Sequence, residues 1–366
     1  MHFFLTLTTE CNLRCTYCFG ECVEDFESDI GFDIDSFLPP RITYSIQDLK
    51  TFLEKDPSPT LIFYGGEPLL EIKTMKEIMH AIDATYMLQT NGLLLGMIES
   101  EYINRFRNII VSIDGDEETT DHFRGRGTYQ SVLRNIRHVR KNGYGGEIVA
   151  RMTVMEPVDI CEQVRHLLGC GFEGVHWQLN ALFWDDFKIR PFREWVKTIY
   201  NPGIRRLVTF WLQEMQKGRV HRIYPFSTIM KDLLLSETSL LRCGAGHSEY
   251  HIQTNGVISP CPVMQGMRDF YAGSIFDSHP LQLKKYYVQS PCPECRIYGL
   301  CGGRCLYANT TKRWGEEGFR LVCETVETLI DSLSIYLPEI GTLIEKGTIR
   351  YTDFEYTHLN SCEIIP

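Results

Sequence analysis

At 366 residues, with 43% hydrophobic and 23% charged residues and a formal net charge of −10, the chain has the makeup of a globular protein with room for one large domain and a smaller one. The acid excess weighs against a nucleic-acid surface, which needs Lys and Arg to neutralise phosphates, and no apolar run of about eighteen residues is present to cross a bilayer. The start, "MHFFLTLTTE", lacks the cationic opening, cleavage site and length of a signal peptide, so a cytoplasmic location is expected. In a reducing compartment, 14 cysteines speak for metal or redox chemistry over disulfides. Most fall into spaced groups; Cys22, Cys161, Cys170 and Cys362 stand apart.

From residue 3 to about 180 the text alternates strand, loop and helix. "FFLTL", "TLIFY", "TYMLQ", "IIVSID", "IVARMTV" and "VHWQLN" read as short buried strands, rich in β-branched and aromatic residues. A capping box, Ser45 through Asp48, opens the helix before the second strand. Strands separated by helices require crossovers and hence a parallel sheet. The expected fold is α/β, a partial (β/α)6 TIM-like barrel, with a doubly wound sheet as the alternative that periodicity alone does not separate. Residues 19–44 form a long aperiodic insertion after the first strand, functional or disordered by its length. Within it, Glu21, Glu24, Asp25, Glu27, Asp29, Asp33 and Asp35 face no Lys or Arg between 21 and 35, and read first as a solvated acidic loop. Residues 190–240 turn helical, a cysteine-rich segment opens at Cys243, and a last helix is expected over 324–346.

The motifs sit in the loops that follow the strands, where a parallel barrel carries its chemistry. "CNLRCTYC" places Cys11, Cys15 and Cys18 after the first strand. A closed zinc or [4Fe–4S] site takes four protein ligands, so three thiolates leave one metal position open for substrate or cofactor. "GGEP", Gly65, Gly66, Glu67 and Pro68, follows the second strand; its glycines let backbone approach a ligand closely, although the same letters also make an ordinary turn. "QTNG" with Asn91 ends the third strand, and "SIDG" with Ser112 and Asp114 ends the fourth, with "DHFRGRG" beyond. Arg151 is a cation inside the apolar "IVARMTV", suited either to a carboxylate ligand or to a structural ion pair. Further on come Cys243, Cys261, Cys292, Cys295, Cys301, Cys305 and Cys323. Seven cysteines need more than one metal, and their CxxC knuckle alone is compatible with zinc.

With Tyr17 standing before its last cysteine, the first motif resembles the signature of the radical S-adenosylmethionine (SAM) superfamily. The later spacing is similar to the SPASM domain found at the C-terminus of many peptide-modifying members, including the sulfatase maturases. The resemblance implies three [4Fe–4S] clusters: one at Cys11, Cys15 and Cys18 that binds SAM, one at Cys292, Cys295, Cys301 and Cys323, and one at Cys243, Cys261 and Cys305. It implies that GGEP meets the SAM amino group, that Ser112, Asp114 and Arg151 lie near its ribose or carboxylate, and that reductive cleavage gives a 5′-deoxyadenosyl radical. An external donor of flavodoxin or ferredoxin type is implied as the electron source. The expected segments are 1–185, the radical SAM partial barrel; 186–242, a helical connector; 243–325, the SPASM domain; and 326–366, a C-terminal helix and tail.

Two departures shape the expected reaction. No further cysteine lies between Cys243 and Cys261, leaving that cluster's fourth position open or filled by His247, Glu249 or His251. Pro262 stands where sulfatase maturases carry an aspartate as proton acceptor. The expectation is therefore maturation of a ribosomally made peptide or protein by thioether or carbon–carbon crosslinking. Formylglycine formation and epimerisation, the latter with Cys22 as hydrogen donor, are the alternatives, and an iron–sulfur electron carrier or zinc-binding scaffold is the non-enzyme reading. A strand starting at residue 3 leaves no room for an N-terminal leader-binding winged helix, so recognition is expected to use another surface.

Overall fold

The computed structural model describes residues 1–19, 31–35, 37–356 and 362–366. Its strands are β1 (His2–Thr8), β2 (Thr60–Gly65), β3 (Thr85–Thr90), β4 (Phe106–Ser112), β5 (Glu147–Val154), β6 (Gly174–Leu179), β7 (Arg222–Ile223), β8 (Glu249–Ile252), β9 (Val257–Ser259) and β10 (Gly273–Ser274). The chain forms two compact units, one of Met1–Ile113, Thr120–Ile148 and Gly244–Tyr287, the other of Asp114–Thr119, Val149–Cys243 and Val288–Pro366.

In the first unit β1 pairs in parallel with β2, β2 with β3 and β3 with β4. Parallel strands are covered on both faces, which is why β1 is almost continuously apolar, with Phe3, Leu5 and Leu7 fully buried. Phe4, Ile62 and Met87 share one register row and pack as a cluster on one face. The helix Ile46–Leu53 starts on the expected capping box and buries Leu49, Phe52 and Leu53. β4 starts three residues before the expected "IIVSID" and ends at Ser112, leaving Asp114 in the loop.

The other edge of β1 was not legible as a pairing site. β8 adds there in parallel, followed by antiparallel β9 and β10. Residues 244–287 thus belong to the first unit and 288–366 to the second, dividing the segment expected as 243–325. The described end of the acidic loop is not merely solvated. Arg268 pairs with Asp33 and Asp35, Ile34 bridges to Met267, and the Phe32 ring lies edge-on to Phe270 at 5.4 Å. Glu21, Glu24, Asp25, Glu27, Asp29 and Cys22 lie outside the described residues.

In the second unit β5 and β6, and β6 and β7, pair in parallel; β7 is two residues long, inside the stretch expected to be helical. The last helix begins at Gly315, earlier than expected, and ends at Ser334, with a second helix over Leu337–Glu345. Pro338 explains the break: with no N–H and a ring that blocks the preceding turn, it fits a helix start and not an interior. Helix Gly315–Ser334 buries Leu321, Val322, Val326, Leu329 and Leu333 and packs on Asn201–Gln216 and Tyr224–Leu235. No helix among the described residues is long and apolar enough to cross a membrane.

Candidate active site

The loop after β1 is built by close backbone approach. A Cβ on Gly65 would lie 2.2 Å from the Thr8 carbonyl oxygen, and one on Gly66 would lie 2.3 Å from that of Glu10 and 2.5 Å from that of Thr9. Gly65 also adopts φ +141°, a region open to glycine. With no side chains in the way, Gly66 N–H donates to the Thr8 carbonyl and Glu67 N–H to that of Glu10, both at 2.9 Å. The two glycines therefore fix the backbone that runs directly into Cys11.

The far side of the loop is held by "DHFRGRG". Thr16 N–H donates to the Phe123 carbonyl at 2.9 Å, the Tyr17 ring lies 5.8 Å from that of Phe123, and the Arg124 guanidinium stands 5.5 Å over Tyr17. Asp121 stabilises this clamp by accepting the N–H groups of Gly127 (2.5 Å) and Tyr129 (2.9 Å). Within the loop Cys18 N–H donates to the Cys15 carbonyl at 2.9 Å, and Leu13 N–H points at the Cys11 sulfur at 3.4 Å. Cys11 is exposed, while Cys15 and Cys18 are half-buried. Partial burial pushes the Cys11 thiol up, the Leu13 N–H opposes this, and the charges of Glu67 and Cys18 add to the rise.

Glu67 is fully buried and ties two strand ends together. Its carboxylate accepts the Leu69 N–H (3.0 Å), the Thr90 hydroxyl (2.7 Å) and the Asn91 N–H (2.7 Å). Burial outweighs these bonds and raises its pKa to about 7. Asn91 reaches back with Nδ2 to Asn12 Oδ1 at 2.7 Å, its amide 3.8 Å from the Cys11 sulfur. The sequence singled out Asn91 but not Asn12 or Phe123, whose roles arise only from the loop's path. Ser112 is half-buried at the end of β4, in the same unit.

Asp114 and Arg151 belong to the second unit. Asp114 is buried and accepts the Thr153 N–H at 2.9 Å, tying its turn to β5. Gly115 packs on Gln163, whose Oε1 would lie 2.1 Å from a Cβ there and accepts the Asp116 N–H at 2.8 Å. Arg151 is half-buried, with Nη2 3.2 Å from Gln178 Oε1 on β6.

The second unit also contains a cavity of about 660 Å³ lined by Cys292, Cys295, Cys301, Cys305 and Cys323. Short turns place the first three: Cys295 N–H donates to the Cys292 carbonyl (3.0 Å), and Cys301 N–H to that of Ile297 (2.8 Å). Cys323 comes from the middle of helix Gly315–Ser334. Asn309 is buried, exchanges hydrogen bonds with the Gln289 backbone (2.7 and 2.9 Å), and has Nδ2 3.4 Å from the Cys292 sulfur. Burial pushes the thiols of Cys292 and Cys323 up to about 11 and about 12, and each feels the negative charge of Cys295 and Cys301. Four thiols that repel one another's ionised forms are suited to surround a cation.

Against known families, residues 5–168 match the model of the Radical SAM superfamily. This segment is a Radical SAM domain. The chain is 20% identical over 356 residues to a cysteine-type anaerobic sulfatase-maturating enzyme of Clostridium perfringens (strain 13 / Type A), covering 88% of this chain and 92% of that one. It is 25% identical over 337 residues to the antilisterial bacteriocin subtilosin biosynthesis protein AlbA of Bacillus subtilis (strain 168), covering 83% and 66%. Among solved structures, native anSMEcpe with bound AdoMet and Kp18Cys peptide superposes with a TM-score of 0.72 at 17% identity, over 93% of this chain and 99% of that one. The fold is the α/β parallel-sheet architecture of a radical SAM partial barrel, and the protein is an enzyme.

A Radical SAM domain implies SAM and a [4Fe–4S] cluster. The residues fit such groups. The Cys11 loop offers three thiols on a backbone fixed from both sides, and the cavity offers thiols on a space far larger than a single ion. Among the described residues no three His, Cys, Asp or Glu side chains converge as tightly as a single metal ion requires. Of the other thiols expected to hold a cluster, Cys261 lies in the first unit and Cys243 in the second, while Cys305, expected to join them, lines the cavity with Cys292 and its neighbours. His251 is not available as their partner: it is fully buried, with Nε2 2.7 Å from Thr6 Oγ1 and Nδ1 3.1 Å from Ser259 Oγ.

Proposed function

We propose that this enzyme uses SAM to modify a ribosomally made peptide or protein oxidatively, forming a thioether or carbon–carbon crosslink. In this reading Cys11, Cys15 and Cys18 hold the SAM-binding cluster, Cys292, Cys295, Cys301 and Cys323 hold one auxiliary cluster, and Cys243, Cys261 and Cys305 hold the other. The segments serve as 1–185, radical SAM barrel; 186–242, connector; 243–325, auxiliary-cluster domain; and 326–366, C-terminal helix and tail. The observation that carries it is the thiol-lined cavity, which is suited to hold a cluster in addition to that of the Cys11 loop. Crosslinking leaves an electron to be taken up after the new bond forms, as formylglycine formation also does, and a cluster held by these cysteines would supply the acceptor.

When bound, the loop's cluster and SAM supply a 5′-deoxyadenosyl radical, on electrons from a flavodoxin- or ferredoxin-type donor. The chain's own residues orient these groups. Gly65 and Gly66 fix the cysteine backbone, and Glu67 locks the ends of β2 and β3. Pro68 starts the turn behind them. Asn91 sets Asn12 beside Cys11. Tyr17 is clamped by Arg124, and Ser112, Asp114 and Arg151 would supply polar groups for the ribose and carboxylate of SAM.

Formylglycine formation is the second reading, favoured by the names of the maturase relatives. Against it, Pro262 follows Cys261 and opens the short helix Pro262–Met264, so no carboxylate stands in that place. The test is anaerobic reconstitution with SAM, dithionite and a panel of short cysteine-containing peptides. The proposal expects about twelve irons per chain, release of 5′-deoxyadenosine, and a peptide lighter by pairs of hydrogens with no aldehyde. A hydrazide-reactive aldehyde would favour the second reading, and zinc without SAM cleavage would end both.

A further inference from the structure

Arg304 sits between the last two cysteines of "CPECRIYGLCGGRC" and is 7% exposed. Its Nε, Nη1 and Nη2 are all buried and find no hydrogen-bond partner among the described residues. A guanidinium is charged at every accessible pH, so it cannot escape this burial by losing a proton. A lone buried cation is among the costliest features a fold can carry, and one that persists implies a missing anionic partner.

The surroundings say where that partner belongs. Arg304 lines the thiol cavity, and its charge acts on Cys301 and Cys323. The other charged groups on that cavity are engaged elsewhere or wet: Glu316 pairs with Lys312 at 2.8 Å, Glu317 pairs with Arg193, Arg320 pairs with Glu324 at 3.2 Å, and Glu294 is exposed. The backbone is committed to this orientation. Gly302, Gly303 and Arg304 have successive φ values of +66°, +91° and +56°, a left-handed run in which only the arginine carries a side chain. A Cβ on Gly302 would lie 2.1 Å from the Leu240 carbonyl oxygen, and one on Gly303 2.6 Å from Val288, so the turn is seated on both.

We infer that Arg304 is the built-in counter-charge of the auxiliary cluster in this cavity, raising its reduction potential. The inference rests on the cluster assignment proposed above. A [4Fe–4S] core with four thiolates is an anion, and it gains one more negative charge on reduction. A fixed cation beside it therefore favours the reduced form. Arg304 acts through the cluster, not on substrate, and is a tuning residue.

The test uses a full-length parent chain carrying Cys11→Ala, Cys15→Ala and Cys18→Ala, so that the SAM-site signal is absent, and compares it with the same chain carrying R304K or R304Q. The cavity cluster's signal is the one lost with Cys292→Ala and Cys295→Ala. In a dithionite titration followed by electron paramagnetic resonance, R304Q should shift the reduced-to-oxidised ratio at fixed potential at least tenfold toward oxidised, ~59 mV more negative for a one-electron couple. R304K, which keeps the charge, should stay within threefold of the parent. The second readout is the rise in melting temperature on cluster loading, which should shrink in R304Q because its cluster-free form no longer buries a lone cation; a merely structural arginine would lower both forms alike. An unchanged potential and loading gap in iron-replete R304Q overturns the inference, as does R304K shifting as far as R304Q. If the parent itself holds no iron that depends on Cys292 and Cys295, the cluster assignment fails instead.

Discussion

Gly66→Ala tests the reading of the cysteine loop at its tightest point. The added Cβ would lie 2.3 Å from the Glu10 carbonyl oxygen, 2.5 Å from that of Thr9 and 2.6 Å from the Glu10 carbonyl carbon. Carbon meets oxygen comfortably at roughly 3.3 Å, so the clash demands about 1 Å of movement from backbone that has no flexible end to swing aside. If residues 9 and 10 move, Cys11 moves with them. If residues 65–67 move instead, the bonds from Gly66 N–H to Thr8 and from Glu67 N–H to Glu10 are lost, both now 2.9 Å. Overpacking costs about 1–3 kcal/mol and each of the two lost bonds about 0.5–1.5 kcal/mol, so the whole is about 2–6 kcal/mol. A reacting group displaced by that much loses on the order of a hundredfold in rate.

The assay compares G66A with G145A, whose new Cβ would meet nothing within 4 Å. Both are purified anaerobically and reconstituted, and iron content, melting temperature and 5′-deoxyadenosine release are measured. G145A should match the parent on all counts. G66A should melt lower, lose iron from the Cys11 site and release 5′-deoxyadenosine about a hundredfold more slowly. A G66A enzyme with parental melting and a release rate within threefold would refute the claim that this glycine exists for the approach of Thr9 and Glu10.

Burial holds the Glu67 carboxyl near 7 against an ordinary 4.5, so the unfolded chain sheds that proton first and stability falls by up to ~3 kcal/mol as pH rises through the window. E67Q lacks this slope, so the parent's advantage over it in chemical denaturation should shrink from pH 4.5 to 7; parallel curves would contradict the assignment. His176 and His251 act in the opposite sense. Burial holds each near 3, the unfolded chain protonates first as pH falls below 6.5, and each subtracts roughly 2 kcal/mol of stability by pH 5; proton uptake on unfolding at that pH checks it. Asn309→Leu removes both bonds to the Gln289 backbone and the amide beside the Cys292 sulfur. It should cost about 2–4 kcal/mol and deplete iron from the cavity while sparing the Cys11 site, which Cys292→Ala and Cys11→Ala controls distinguish.

What could be read from the letters, and what could not, follows physical lines. The six leading strands were legible because burial on both faces writes a continuous apolar run, as in "FFLTL" and "TLIFY". β8, "EYHI", hides because Glu249 and His251 are polar and still buried; His251 spends both ring nitrogens on Thr6 and Ser259. That same engagement removes it as the cluster ligand its residue type suggested. The cysteines and GGEP announced themselves by spacing, and the glycines by their need for close approach. What they approach, the carbonyls of Thr8 to Glu10, was not readable, because it depends on two chain segments more than fifty residues apart. Asp33 and Asp35 read as solvent-facing because their cation, Arg268, comes from a distant segment.

The two thiol sets differ in their surroundings in a way that matches different tasks. Cys11 is exposed on a loop whose shape is set by backbone contacts and whose three thiols, as the proposed cluster ligands, would leave a metal position open, as a site that must admit a ligand requires. The cavity thiols of Cys292, Cys301 and Cys323 are pushed up by burial and mutual repulsion, and the cation at hand to offset their charge, Arg304, has no other partner among the described residues. With four of the cavity's thiols as cluster ligands, as proposed, such a site would be closed to substrate, and its fixed positive charge would favour an added electron. An enzyme that only cleaved SAM would have no use for it. In the proposed reading a cluster held there would take up the electron left on the modified peptide, a need that crosslinked and formylglycine products share, and it is Pro262 after Cys261, offering no proton acceptor, that weighs against the formylglycine product.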